Sequence, residues 1–172
     1  MNKFFLLTII LSGFFIASFA QQNPAWNKYK WLLGDWAGEG NGKPGQGKGS
    51  FSLKEDLSGK VLIRKNHSEY PATNDKPAVI HDDLMIIYTD PGGNPSKAIY
   101  FDNEGHIINY SINYADNMIT FLSDKIPGAP VFRLSYSLID NATVNIKFEM
   151  SQDGEKFMTY TEGKCKKVNV MN

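Results

Sequence analysis

His81-Asp82-Asp83 sets an imidazole and two carboxylates within three residues, the ingredients of a general base or part of a metal site. On a strand, adjacent side chains point to opposite faces, so His81 and Asp83 can share a face that Asp82 cannot join. That leaves two ligands where a metal usually takes three or more protein groups. A polar strand entrance accounts for the same residues, and His67 and His106 are open to both readings. Asp35 and Glu39 would be ~13 Å apart along a strand, beyond the ~5–9.5 Å that paired carboxylates use in glycoside hydrolysis. Gly42-Lys43-Pro44-Gly45-Gln46-Gly47-Lys48 follows the spacing of a phosphate-binding loop as far as the lysine. Gly49 then stands where Ser or Thr is required, and strand pattern follows where a helix should begin. No Gly-x-Ser-x-Gly elbow occurs. Cys165 has no histidine near it in sequence to activate it and reads as a small buried strand residue. No catalytic residue and no metal site are assigned.

The richer set is aromatic with polar tips. Tyr110 and Tyr114 fall on the apolar face of one segment, Tyr136 follows Phe132 and Leu134, Phe148 follows Val144 and Ile146, and Tyr88 and Tyr100 complete the group. Inside a barrel these rings would line a cavity, where a ligand or an ordered water can serve the tyrosine hydroxyls. The alternative is a filled core in which the rings pack on one another. The two arginines are Arg64 and Arg133, and either could face a ligand or stack on Trp36. Alternation puts Arg133 on the face opposite Tyr136. The predicted ligand-binding residues are therefore Tyr88, Tyr100, Tyr110, Tyr136, Phe148 and Arg64.

The elements that must position these residues are strands. Apolar and polar residues alternate in Ile108-Asn109-Tyr110-Ser111-Ile112-Asn113-Tyr114 and in Val144-Asn145-Ile146-Lys147-Phe148-Glu149-Met150. Turn residues recur at Leu57-Ser58-Gly59, Asp90-Pro91-Gly92-Gly93, Asn103-Glu104-Gly105, Ala115-Asp116-Asn117, Asp140-Asn141 and Asp153-Gly154. Strands are expected near 35–40, 48–57, 60–70, 79–89, 96–102, 106–114, 117–123, 130–139, 142–150 and 156–167. With no helical crossover between them, the sheet should be an antiparallel meander. About ten such strands remove their exposed edges most easily by closing into an up-and-down barrel, with a β-sandwich as the alternative. Ahead of the strands, Asn23-Pro24-Ala25 followed by Trp26, Tyr29, Leu32 and Leu33 predicts a short helix ending at Gly34.

Residues 1–20 have Lys3, an apolar run from Phe4 to Ile16, and small residues Ser18 and Ala20 ahead of Gln21. This is the pattern of a signal peptide, and the run is shorter than the ~17–25 residues that span a bilayer. No cysteine stands at the expected cut to carry a lipid. The mature chain, 21–172, then has one basic group fewer than acidic and is expected to be one soluble domain, periplasmic or extracellular. Such a balance provides no electrostatic footprint for nucleic acid or an anionic membrane. With one cysteine, an intramolecular disulfide is impossible and the core alone must stabilise the fold.

Leu32-Leu33-Gly34-Asp35-Trp36-Ala37-Gly38-Glu39-Gly40 resembles the opening of nitrobindin-like and related domains, which share the calycin barrel with fatty-acid-binding proteins and lipocalins. The resemblance continues through Tyr100-Phe101-Asp102-Asn103-Glu104-Gly105-His106-Ile107-Ile108, Phe132-Arg133-Leu134-Ser135-Tyr136 and Ser151-Gln152-Asp153-Gly154-Glu155-Lys156-Phe157. It implies a barrel around a cavity holding haem or a small apolar molecule, with Gly34 and Trp36 forming a plug across the closed end. It also implies that an interior arginine can meet a ligand carboxylate. Nitrobindins ligate haem through a histidine near the C-terminal strand, and no histidine occurs between Glu155 and Asn172, so no cofactor is predicted.

These readings converge on an exported, non-catalytic, calycin-like barrel that binds a small hydrophobic or amphipathic ligand. The rivals are a barrel enzyme, which would need a titratable pair converging in the cavity, and an accessory protein that acts through its outer surface.

Overall fold

The computed structural model describes residues 24–40 and 47–168. The expected signal segment at 1–20 and most of the expected loop at 41–49 lie outside the described residues. The strands are β1 (Gly34–Gly38), β2 (Lys48–Asp56), β3 (Val61–Tyr70), β4 (Val79–Tyr88), β5 (Lys97–Asp102), β6 (Ile107–Ala115), β7 (Met118–Ser123), β8 (Val131–Asp140), β9 (Thr143–Ser151) and β10 (Met158–Lys167). Each pairs antiparallel with its sequence neighbour, and β1 pairs with β10 to close the barrel. A sandwich is thereby excluded. Closure follows from the alternation: every strand has one apolar face to bury, and pairing the first strand with the last leaves no full-length edge open to water.

The two ends differ. At one end, the residues expected to form a helix up to Gly34 form a shorter 3₁₀ helix, Pro24–Tyr29. Tight turns follow it, in which the amides of Leu32 and Leu33 both donate to the Tyr29 carbonyl. This segment plugs the barrel with Trp26, Tyr29 and Leu32, all essentially buried. The Trp26 indole donates to the Gly59 carbonyl, 2.9 Å away, in the β2–β3 turn. The Tyr114 hydroxyl lies 2.8 Å from the Tyr29 hydroxyl and bonds the Pro95 carbonyl. The Trp36 indole donates to the Leu32 carbonyl (2.8 Å) and stacks on Phe51, with ring centroids 5.8 Å apart. Gly34 has φ of +120° beside Lys167, a conformation that L side chains rarely adopt.

The opposite end, the mouth, carries the turns between β3 and β4, β5 and β6, β7 and β8, and β9 and β10. Here the closing seam is short. β1 meets β10 at Trp36↔Lys167, Ala37↔Lys166 and Gly38↔Cys165, extended by backbone bonds from the Val168 amide to the Asp35 carbonyl (2.8 Å) and from the Glu39 amide to the Lys164 carbonyl (3.0 Å), while the part of β10 nearest the mouth pairs with β9 alone among the described residues. A register shift between Thr159 and Thr161 leaves Tyr160 out of register with β9, largely exposed but with its ring against Phe148 at a centroid distance of 6.1 Å.

Candidate functional site

Period two places Leu62 and Arg64 of β3 inside the barrel, with Asp83, Met85 and Ile87 of β4 beside them. Arg64 sits directly opposite Met85, so Asp83 is its diagonal neighbour, a separation that a long side chain spans. The guanidinium and the Asp83 carboxylate form an ion pair with both side chains almost wholly buried. The guanidinium carbon lies 5.7 Å from the Phe51 ring centroid and 5.9 Å from that of Tyr136, so Arg64 meets these rings, while Trp36 is covered by Lys167 instead. Among the described residues, two buried side-chain polar atoms remain without a hydrogen-bond partner: Arg64 Nε and the Tyr136 hydroxyl. Burial pushes the Tyr136 phenol well above its ordinary value, so it stays a neutral donor or acceptor.

From Asp83 a polar chain runs outward to the mouth. His81 Nε2 lies 3.6 Å from an Asp83 oxygen and 3.1 Å from the Tyr100 hydroxyl, and His81 Nδ1 lies 3.1 Å from Glu104. Hydrogen bonding to Asp83 chiefly, and to Glu104, outweighs burial and raises the imidazole to about 9. It is therefore a cation at neutral pH, donating from both nitrogens. Tyr100 donates to Asp102 (3.3 Å), which also accepts from the His106 and Glu104 amides and from His106 Nδ1 at 2.8 Å. Burial opposes ionisation of Asp102, but these bonds win and hold its carboxyl below the usual range. The pairing Asp83↔Asp102 would set two like charges opposite each other on one face. Arg64, His81 and the Asp102 partners offset that repulsion.

Of the residues singled out from sequence, Arg64, Tyr100, Tyr110, Tyr136 and Phe148 face inward. Tyr88 does not: it follows the inward Ile87, so alternation turns it outward, and it is 38% exposed. Tyr100, Tyr110, Phe121, Tyr136, Phe51 and Trp36 form a continuous series of ring contacts across the middle of the barrel, at centroid distances of 5.6–6.4 Å. Much of what was expected to line a cavity therefore packs as core. Arg133 is on the outer face, bonded to Glu149 at 2.7 Å and lying over the Phe157 ring. Cys165 is buried, and burial raises its thiol to about 11. Asp82 faces outward and bonds His67.

Above the ring belt the packing is looser. Ile108, Phe132, Ile146 and Phe148 share the inward face and are only partly buried. Gly163 pairs with Ile146 and alternates in phase with the buried Cys165, so a side chain there would point inward, yet a Cβ at Gly163 meets nothing within 4 Å. Phe148 was singled out from sequence, with Phe132 and Ile146 named beside the aromatic set; Ile108 and Gly163 were not, although the phase of β6 and β10 places them. A different concavity, about 710 Å³, is an open groove on the outside of the barrel along β1 to β5, bordered by Ser50, Ser52, Lys65, His67 and Leu84. Neither it nor the smaller groove near Lys48 and Glu69 is lined by any of the five tyrosine and phenylalanine positions predicted from sequence.

Among the described residues no group of three or more His, Cys, Asp and Glu side chains is placed to hold a metal ion. Haem would need an inward imidazole nitrogen. His81 has both its nitrogens engaged, and His106, at the mouth, has its Nδ1 bonded to Asp102.

No protein-family model matches this chain, and no curated protein matches it. Among solved structures, the crystal structure of Rv2717c from M. tuberculosis is similar, with a TM-score of 0.58 and 15% sequence identity over 86% of this chain and 99% of that one. That likeness shows the barrel fold.

Proposed function

We propose that the protein is an exported, non-catalytic, calycin-type carrier or scavenger of a small hydrophobic or amphipathic molecule, held between the ring belt and the mouth of the barrel. The observation that supports this reading is the loosely packed inner face of β9 and β10, where Ile146 and Phe148 are only partly buried beside Gly163, which is itself exposed and has nothing within 4 Å of a Cβ. Apolar side chains that point into a barrel and still meet solvent gain from an apolar ligand the burial that the protein leaves incomplete. Nile red should bind the folded protein saturably, and Gly163→Leu, which adds a side chain there, should abolish the signal at unchanged unfolding temperature. Absence of saturable binding, or binding indifferent to the leucine, would reject the reading.

A second reading, acid–base catalysis, is favoured by the convergence of His81, Asp83 and Tyr100 at the mouth. It predicts that His81→Gln abolishes turnover of a bound substrate while dye binding persists. In the carrier reading the same variant changes binding and stability alone.

A further inference from the structure

The buried cation of this barrel is already neutralised, and its spare hydrogen-bonding capacity is that of neutral-polar recognition. Arg64 is committed to Asp83. His81 is committed to Glu104, Asp83 and Tyr100. His106 is paired with Asp102, and the Lys167 ammonium rests over Trp36 beside Gly34 at the plugged end. Among the described residues, the buried side-chain atoms that reach no hydrogen-bond partner are Arg64 Nε and the Tyr136 hydroxyl, which lie near enough to act on each other. Unserved buried donors are costly, and a ligand atom that accepts from them recovers that cost.

Resting on the carrier reading, we infer that the bound ligand has an uncharged acceptor head, a ketone, aldehyde, ester or amide carbonyl, received by Arg64 Nε–H and the Tyr136 hydroxyl. A carbonyl oxygen has two lone pairs and can accept from both donors. A carboxylate can accept as well, but it brings a second negative charge to a buried site where Asp83 already balances Arg64. A low-dielectric interior disfavours the charged head unless a cation is free to meet it. The tail then extends past Ile146 and Phe148 toward the mouth.

The test is displacement of Nile red from the mature protein at neutral pH by a long-chain methyl ketone, the fatty acid of the same length and the parent alkane. The ketone should compete about tenfold or more better than either. Tyr136→Phe, nearly isosteric, should bring the ketone down to the alkane without moving the alkane. Asp83→Asn, if it folds, frees the guanidinium and should raise the acid above the ketone. An acid that matches or exceeds the ketone on the unaltered protein overturns the neutral-head inference while the carrier reading stands. Equal competition by ketone and alkane also overturns it and assigns the two donors to water. If none of the three displaces the dye, the carrier reading fails with it.

Discussion

The plugged end and the mouth are built from the same strands with opposite economies of packing. At the plugged end, Trp26, Tyr29, Leu32 and Trp36 are essentially buried, and both indoles donate to backbone carbonyls. At the mouth, inward residues such as Ile108, Phe132 and Phe148 keep partial exposure, while ionisable groups form the wall. The contrast separates two uses of a barrel interior. One end is closed by large rings that satisfy their own polar tips, and the other keeps space and charge at the expense of stability, as ligand-accepting regions commonly do.

The largest expected break in that contrast is Trp36→Ala. It removes a buried indole that joins the plug to β1 and to Phe51, and should destabilise by ~3–5 kcal/mol in urea titration. An effect no larger than that of a mouth substitution would mean that the plug does not organise the closed end.

The second is pH. His81 has its imidazole raised from the ordinary 6.5 to about 9 in the folded chain. Its contribution is therefore fully present below pH 6.5 and is lost as pH rises through about 9. The loss should amount to no more than about 3 kcal/mol, because the side chain is about one quarter exposed. His81→Gln should flatten this slope, and an unchanged slope would assign it to other groups.

Phe148→Ala should cost about 1–2 kcal/mol, less than a fully buried phenylalanine, because the ring is half-buried against Phe132. It should weaken Nile red binding more than it lowers stability. The smallest effect belongs to Gly163→Ala. A methyl group that meets nothing should change the unfolding free energy by less than ~0.5 kcal/mol. A large loss would show that the space is filled in solution.

Much of this was legible without coordinates. Alternation alone puts Asp83 in phase with Met85 and Ile87 and His81 in phase with Asp83, and it turns Arg133 away from Tyr136. The same rule, applied to Tyr88 beside Ile87, would have removed it from the ligand set. The turn residues between apolar runs likewise marked ten strands, because Gly, Asn and Asp relieve the local backbone at each reversal. These are properties of residues near one another in the chain, and sequence reports them directly.

Only the tertiary structure decided that Arg64 is already paired with Asp83, that its guanidinium lies against Tyr136 from β8, and that His81 reaches both Tyr100 and Glu104. It also decided that the β1–β10 seam ends at the Glu39–Lys164 backbone bond and leaves Gly163 exposed, with nothing within 4 Å of a Cβ. Those facts depend on strand register, tilt and closure, which relate strands far apart in sequence and which a period of two cannot encode. Alternation says which side of the sheet a residue occupies. What it meets there is set by how far each strand slides along its neighbours before the barrel closes.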